Sequence, residues 1–317
     1  MREETDAPRS AGSGFRAYLE LLRLPNVFTA IADVMMGFLV VQGTFEPYST
    51  LGLLVATSGC LYLAGMVFND VFDRQIDAAE RPERPIPSGR ISVGVARLTG
   101  VVLLCVGLVL PMQVSWQHNL IMPCAVAWSL ALLVILYDKW LKHTPLGPPA
   151  MGGCRMLNVL LGMSLMTDAP SAMHWLIAGG VGVYVMGITV FARGEAEVSN
   201  RGRLVAGIAI MLAGIAMLAV SPGFVSENQV WRLAGMPRGW HLFWWLFSAQ
   251  ILWRTSRAVV VPSPKLVQAA VKMSILSLIV IDAAASVPMS SIGLISPMMI
   301  LLLLIPATLV GRWIYST

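Results

Sequence analysis

Three oxygen-bearing side chains recur at helical spacing in this chain. Asn69, Asp73 and Asp77 stand at i, i+4 and i+8, positions that share one face of a helix. Carboxylates stacked in this way repel each other unless a cation joins them. A hard, all-oxygen set with few protein ligands suits Mg²⁺, which keeps waters and binds through phosphates. A diphosphate substrate would complete such a shell. The competing reading is a solvated loop with local ion pairs, because Arg74, Arg81 and Arg84 lie close by. Two features favour chemistry: the segment Arg84-Pro85-Ile86-Pro87-Ser88-Gly89 follows directly, and the cluster ends an apolar run, where grouped carboxylates are costly.

The elements that must hold this cluster are set by composition. Of 317 residues, 56% are hydrophobic and 12% charged, with a mean hydropathy of +0.73. A soluble domain carries about 25% charge, so the bilayer is much of this chain's solvent. Apolar runs long enough to span predict helices near 26–43, 50–69, 91–111, 118–137, 149–167, 172–192 and 203–221, then 240–258, 267–287 and 293–313. The eighth is the weakest, with Arg254 and Arg257 in its last turns, and a surface or re-entrant helix is its alternative. Residues 1–15 read as a disordered polar tail, and 16–317 as a single transmembrane domain.

Loop charge alternates. Arg16, Arg23, Arg74, Arg81, Arg84, Arg90, Lys139, Lys142, Arg193, Arg201 and Arg203 fall in one set of loops, while the loops 44–49, 112–117 and 168–171 carry no Lys or Arg. The positive-inside rule then places the N-terminus and the acid-bearing loops in the cytoplasm. The net charge of +5 belongs to those loops and does not point to nucleic acid. Cys60, Cys105, Cys124 and Cys154 show no metal-like pairing and read as small buried hydrophobes.

The block Asn69, Asp70, Asp73, Asp77, Arg84, Pro85, Ser88 and Gly89 resembles the first aspartate-rich motif of the UbiA superfamily of intramembrane prenyltransferases. Leu22-Arg23-Leu24-Pro25-Asn26 resembles the opening of that family's first helix. Tyr137-Asp138-Lys139-Trp140-Leu141-Lys142 resembles the segment ending its fourth, and Gly152, Arg155 and Gly162 sit where its fifth has small and basic positions. The resemblance implies an all-α polytopic bundle with a nine-helix core, here with a tenth C-terminal helix. It implies Mg²⁺ on Asn69, Asp73 and Asp77 as the catalytic centre, and transfer of a prenyl group from an isoprenyl diphosphate to a lipophilic acceptor, aromatic or otherwise. Arg23, Asp70, Arg84, Tyr137, Lys139, Lys142, Arg155, Asn158 and Arg193 would contact substrate.

The family's second aspartate-rich motif has no match in the loop 191–201. Its only carboxylates are Glu195 and Glu197, two apart and so on different faces of any helix, which leaves them as altered metal ligands. Two alternatives stand beside the enzyme: a non-catalytic prenyl-lipid binding protein and a transporter. Transport draws on acidic residues at mid-membrane, and here only Asp282 reads as clearly deep. It could act in chemistry or hydrogen-bond within the bundle.

Overall fold

In a computed structural model, residues 11–193, 200–224 and 239–315 are described, and among them the chain is entirely helical outside its turns. The helices are α1 (Ala11–Leu21), α2 (Val27–Gln42), α3 (Tyr48–Phe72), α4 (Arg74–Glu80), α5 (Val93–His118), α6 (Met122–Lys139), α7 (Gly147–Gly162), α8 (Ala172–Ala192), α9 (Arg201–Val220), α10 (Trp240–Val260), α11 (Pro264–Ser286), α12 (Ile295–Leu301) and α13 (Leu304–Tyr315). Nine of the ten apolar runs each become one α-helix, and the tenth becomes two. Eight are long and apolar enough to cross a bilayer. The exceptions are α7, only 16 residues long, and α10, whose His241, Gln250, Arg254 and Arg257 dilute its apolar face. This is a multi-pass membrane protein.

Two features differ from the expectation. The segment 1–15 read as a tail, yet α1 starts at Ala11. Ala17 and Leu21 explain it, because both are fully buried against Val67, Val71, Ile86, Ile91 and Ala96. The tenth span is split into α12 and α13. Pro306 has no N–H to continue the ladder, and Ile305 N turns to Leu302 O at 3.1 Å instead.

The packing that matters for the site is the crossing of α2 and α7. A side chain at Gly37 would run into the carbonyl of Val159, and one at Gly162 into the carbonyl of Val34. Small residues let backbones touch in this way, which is how membrane helices associate without a hydrophobic driving force between them. The contact brings Asp33, one turn before Gly37, against Arg155 and Asn158.

Candidate active site

The i to i+4 ladder runs almost unbroken from α3 into α4. Asp73 N bonds Asn69 O at 3.0 Å, and Asp77 N bonds Asp73 O at 2.8 Å. Asp73 itself leaves the helical region, with φ −84° and ψ 1°, so it marks a slight break without losing register. Asn69, Asp73 and Asp77 therefore stack at one end of the bundle, as their spacing predicts.

Each acid in this cluster has a basic partner from a different element. Lys142 Nζ lies 2.6 Å from Asp73 Oδ2, with His143 Nε2 at 3.7 Å from the other oxygen. Arg84 donates to Asp77 at 2.6 Å and to Asp70 at 3.4 Å. Arg23 donates to Asp70 at 2.8 Å from a left-handed backbone, φ 45°. That conformation is uncommon outside glycine, and the ion pair helps to hold it. Arg90 pairs with Glu20 at 2.7 Å, tying α1 to the loop after α4. Charges from five segments thus converge at one end.

Among the described residues Arg193 touches no acid. It donates to the carbonyls of Thr144 and, at 3.3 Å, Lys142, so it fixes the turn that carries Lys142. Lys139 stands apart from the cluster, exposed, with its ammonium 4.3 Å from the Trp140 ring centroid. Lys142, three residues on, is the lysine that reaches the acids. Consecutive residues point about 100° apart on a helix of 3.6 residues per turn, and the inward position falls to Asp138. Sequence reasoning passed over Asp138 and His143. Asp138 could have been found from its phase, one turn before Lys142 on the inward face.

Behind the cluster lies a narrow cavity of about 70 Å³ between α2, α3, α6 and α7. Tyr137 and Asp138 line it at the charged end, and Ser58, Tyr62, Arg155 and Asn158 line it deeper, with apolar side chains between. Asn69 Nδ2 donates to Asp138 Oδ1 at 3.1 Å, which joins the stack to the cavity. Arg155 and Asn158 both bond Asp33. Asp33 is fully buried, as is Asp282, so Asp282 is not the only deep carboxylate. A charge inside an apolar span was the available signal.

The donor set fits Mg²⁺. Asn69, Asp73 and Asp77 offer only hard oxygens, the ligands that ion takes. No three acids, histidines or cysteines converge on one point among the described residues. Glu195 and Glu197 lie outside the described residues.

The chain is similar to several known proteins. A digeranylgeranylglyceryl phosphate synthase from Sulfolobus acidocaldarius is 37% identical over 124 residues, covering 39% of this chain and 42% of that protein. The synthase of the same name from Methanopyrus kandleri is 33% identical over 168 residues, covering 51% and 58%. The chain thus spans only about half the length of the curated relatives it matches. In fold, it is similar to a UbiA homologue from Aeropyrum pernix (TM-score 0.64, 16% identity, 81% of this chain and 96% of that one). It is also similar to one from Archaeoglobus fulgidus bound to GPP and Mg²⁺ (TM-score 0.62, 13% identity, 85% and 99%). A model of the UbiA prenyltransferase family matches residues 30–201, more than half of the sequence and the part that carries the stacked acids, their cations and the cavity, so this chain belongs to that family.

Proposed function

We propose that this protein transfers a prenyl group from an isoprenyl diphosphate to the hydroxyl of a lipophilic acceptor, with Mg²⁺ as cofactor. The observation that carries the reading is the mouth of the cavity, where Asn69, Asp73 and Asp77 stack against Lys142 and Arg84. The names of the relatives from Sulfolobus and Methanopyrus favour a glyceryl-type lipid as acceptor over an aromatic one.

When bound on Asn69, Asp73 and Asp77, Mg²⁺ supplies Lewis-acid stabilisation of the diphosphate. The protein's own cations do the rest. Lys142 and Arg84 exchange carboxylate partners for phosphate oxygens, and Arg193 keeps the Lys142 turn in place. The bond from the prenyl C1 to the diphosphate oxygen breaks with its electron pair leaving on the diphosphate. Preorganised positive charge at that point is where such a site lowers its barrier. The acceptor oxygen then bonds C1 and passes its proton to the departing diphosphate. Tyr137 and the apolar walls of the cavity keep water from the cationic prenyl group. We place the domain at residues 16–317, with the N-terminus and the charged mouth on the cytoplasmic side, by the loop charges.

Protein purified in detergent, with Mg²⁺, radiolabelled prenyl diphosphates and candidate acceptors, tests the reading. Wild type is expected to form prenylated product and Asp73→Ala none. Absence of both turnover and donor binding in the wild type would sink it.

A further inference from the structure

Helices α3 and α6 meet where the cavity reaches its charged mouth, and the contact is built on positions one turn apart. On α3 these are Gly65 and Asn69, and on α6 Val134 and Asp138. A side chain on Gly65 would come within 2.8 Å of Val134 Cγ1 and 3.7 Å of Asp138 Oδ2, so the glycine makes room for the Asp138 carboxyl against α3. One turn on, Asn69 Nδ2 donates to Asp138 Oδ1 at 3.1 Å. Asp138 is 3% exposed, and its Oδ2 has no hydrogen-bond partner among the described residues. The Asn69 amide is therefore the one group there that hydrogen-bonds this buried carboxyl. Losing that N–H would leave the whole carboxyl unmatched, which is costly in the interior.

The direction of this bond fixes which atom Asn69 presents to a metal. A carboxylate only accepts, so the amide must turn its NH₂ group to Asp138. The amide nitrogen and oxygen leave one planar carbon in different directions, and an Nδ2 committed to Asp138 leaves Oδ1 turned away from it. Which way an amide faces is decided by its hydrogen bonds. Without Asp138 the group can turn over and offer a cation N–H in place of oxygen. The same geometry argues against a cation shared by the two residues, because an N–H stands between Asn69 and the carboxylate. It also accounts for an amide at 69 where 73 and 77 are acids. A carboxylate this close to buried Asp138 would set like charge against like charge at low dielectric.

We propose that Asp138 is a positioning residue for the metal site, acting through Asn69 by holding its amide so that Oδ1 is the atom offered to Mg²⁺. The inference rests on the reading of Asn69 as a metal ligand and extends it to a residue on a different helix. Hydrogen-bond partners behind a ligand change metal affinity by about 10- to 100-fold when they are removed.

The test is isothermal titration of Mg²⁺ into the full chain in detergent, with inorganic diphosphate and without it. Asp138→Leu keeps much of the volume and removes the acceptor, and Mg²⁺ affinity is expected to fall by about 10- to 100-fold. Asp138→Asn keeps an oxygen that accepts from Asn69, and affinity is expected to recover to within about threefold of wild type. In an Asn69→Ala background Asp138→Leu is expected to cause no further loss, because a residue that acts only through Asn69 then has nothing to act on. Thermal unfolding reports that each variant is folded. Asp138→Ala replaces Asp138→Leu where the latter does not fold, and where neither folds Asp138→Asn decides alone. Wild-type affinity in a folded Asp138→Leu or Asp138→Ala, or a loss of about tenfold or more in Asp138→Asn, overturns the proposal while leaving the metal reading standing. A further loss of that size in the Asn69→Ala background also overturns it, since Asp138 would then act on the ion directly. A wild type that binds no Mg²⁺ under either condition overturns the metal reading, and this inference with it.

Discussion

Lys142 offers the sharpest test of how the mouth of the cavity works, because it opposes the metal before the donor arrives and assists the donor afterwards. Its Nζ lies 2.6 Å from Asp73 Oδ2, with 9% of the side chain exposed. Lys142→Met keeps the stem and removes the ammonium. Two effects of opposite sign follow. In donor-free protein Asp73 loses its competitor for metal, and at ~1.5–3 kcal/mol for a charge-assisted contact whose ammonium is buried Mg²⁺ binds about 10- to 150-fold more tightly. In turnover the leaving diphosphate loses a charge-assisted hydrogen bond worth ~1.5–3 kcal/mol, which lowers kcat by about 10- to 150-fold. Isothermal titration of Mg²⁺ into donor-free protein measures the first, and single-turnover product formation with saturating donor the second. Weaker Mg²⁺ binding in the variant, or a kcat within about twofold of wild type, would refute the exchange of partners from which both effects are derived.

Three other expectations follow from particular contacts. Arg193→Ala frees the turn that Arg193 holds through the carbonyls of Lys142 and Thr144, and at ~1.5 kcal/mol steady-state kinetics are expected to show about a tenfold fall in kcat/KM for donor. Arg155→Met leaves Asp33 without its cation, and a broken buried pair costs ~3–5 kcal/mol. Thermal unfolding in detergent is expected to drop by roughly 10 °C, and an unchanged midpoint would count against the pair. Gly162→Leu puts a side chain into the carbonyl of Val34, and overpacking of ~1–3 kcal/mol or more separates α2 from α7. Product formation should then fall together with stability, while Gly52→Ala, with open space around it, should behave as wild type.

How much of this was legible in the sequence depended on how far apart the partners lie. The ten helices were, because an apolar run of about twenty residues has few alternatives in a bilayer. The stack of Asn69, Asp73 and Asp77 was legible too, since one helical period fixes all three. Its cations were only partly so. Lys139 and Lys142 look equivalent as letters, but α6 ends between them and a short 3₁₀ turn over Leu141–His143 sends only Lys142 to Asp73. The deep pair was the least legible. Asp33 and Arg155 are 122 residues apart, so no spacing rule joins them. Asp33 sits in an otherwise apolar span and was visible as a single charge. Its meaning depended on the glycine crossing of α2 and α7, which is a property of packing.

The charges at the mouth and those in the interior have opposite tasks. At the membrane edge each acid is matched by a cation that can let go. The Lys142 ammonium is already buried against Asp73 and Arg84 is only partly exposed, so trading a carboxylate for a phosphate adds little desolvation. In the interior the same residue types are locked. Arg155 is tied to Asp33 and Thr29 by hydrogen bonds on two helices whose backbones touch. A charge that can change partners suits the leaving diphosphate, and a charge that cannot suits holding α2 against α7. The difference between the two centres therefore comes from burial and from the helices that carry them, since both are built from Asp, Asn and Arg.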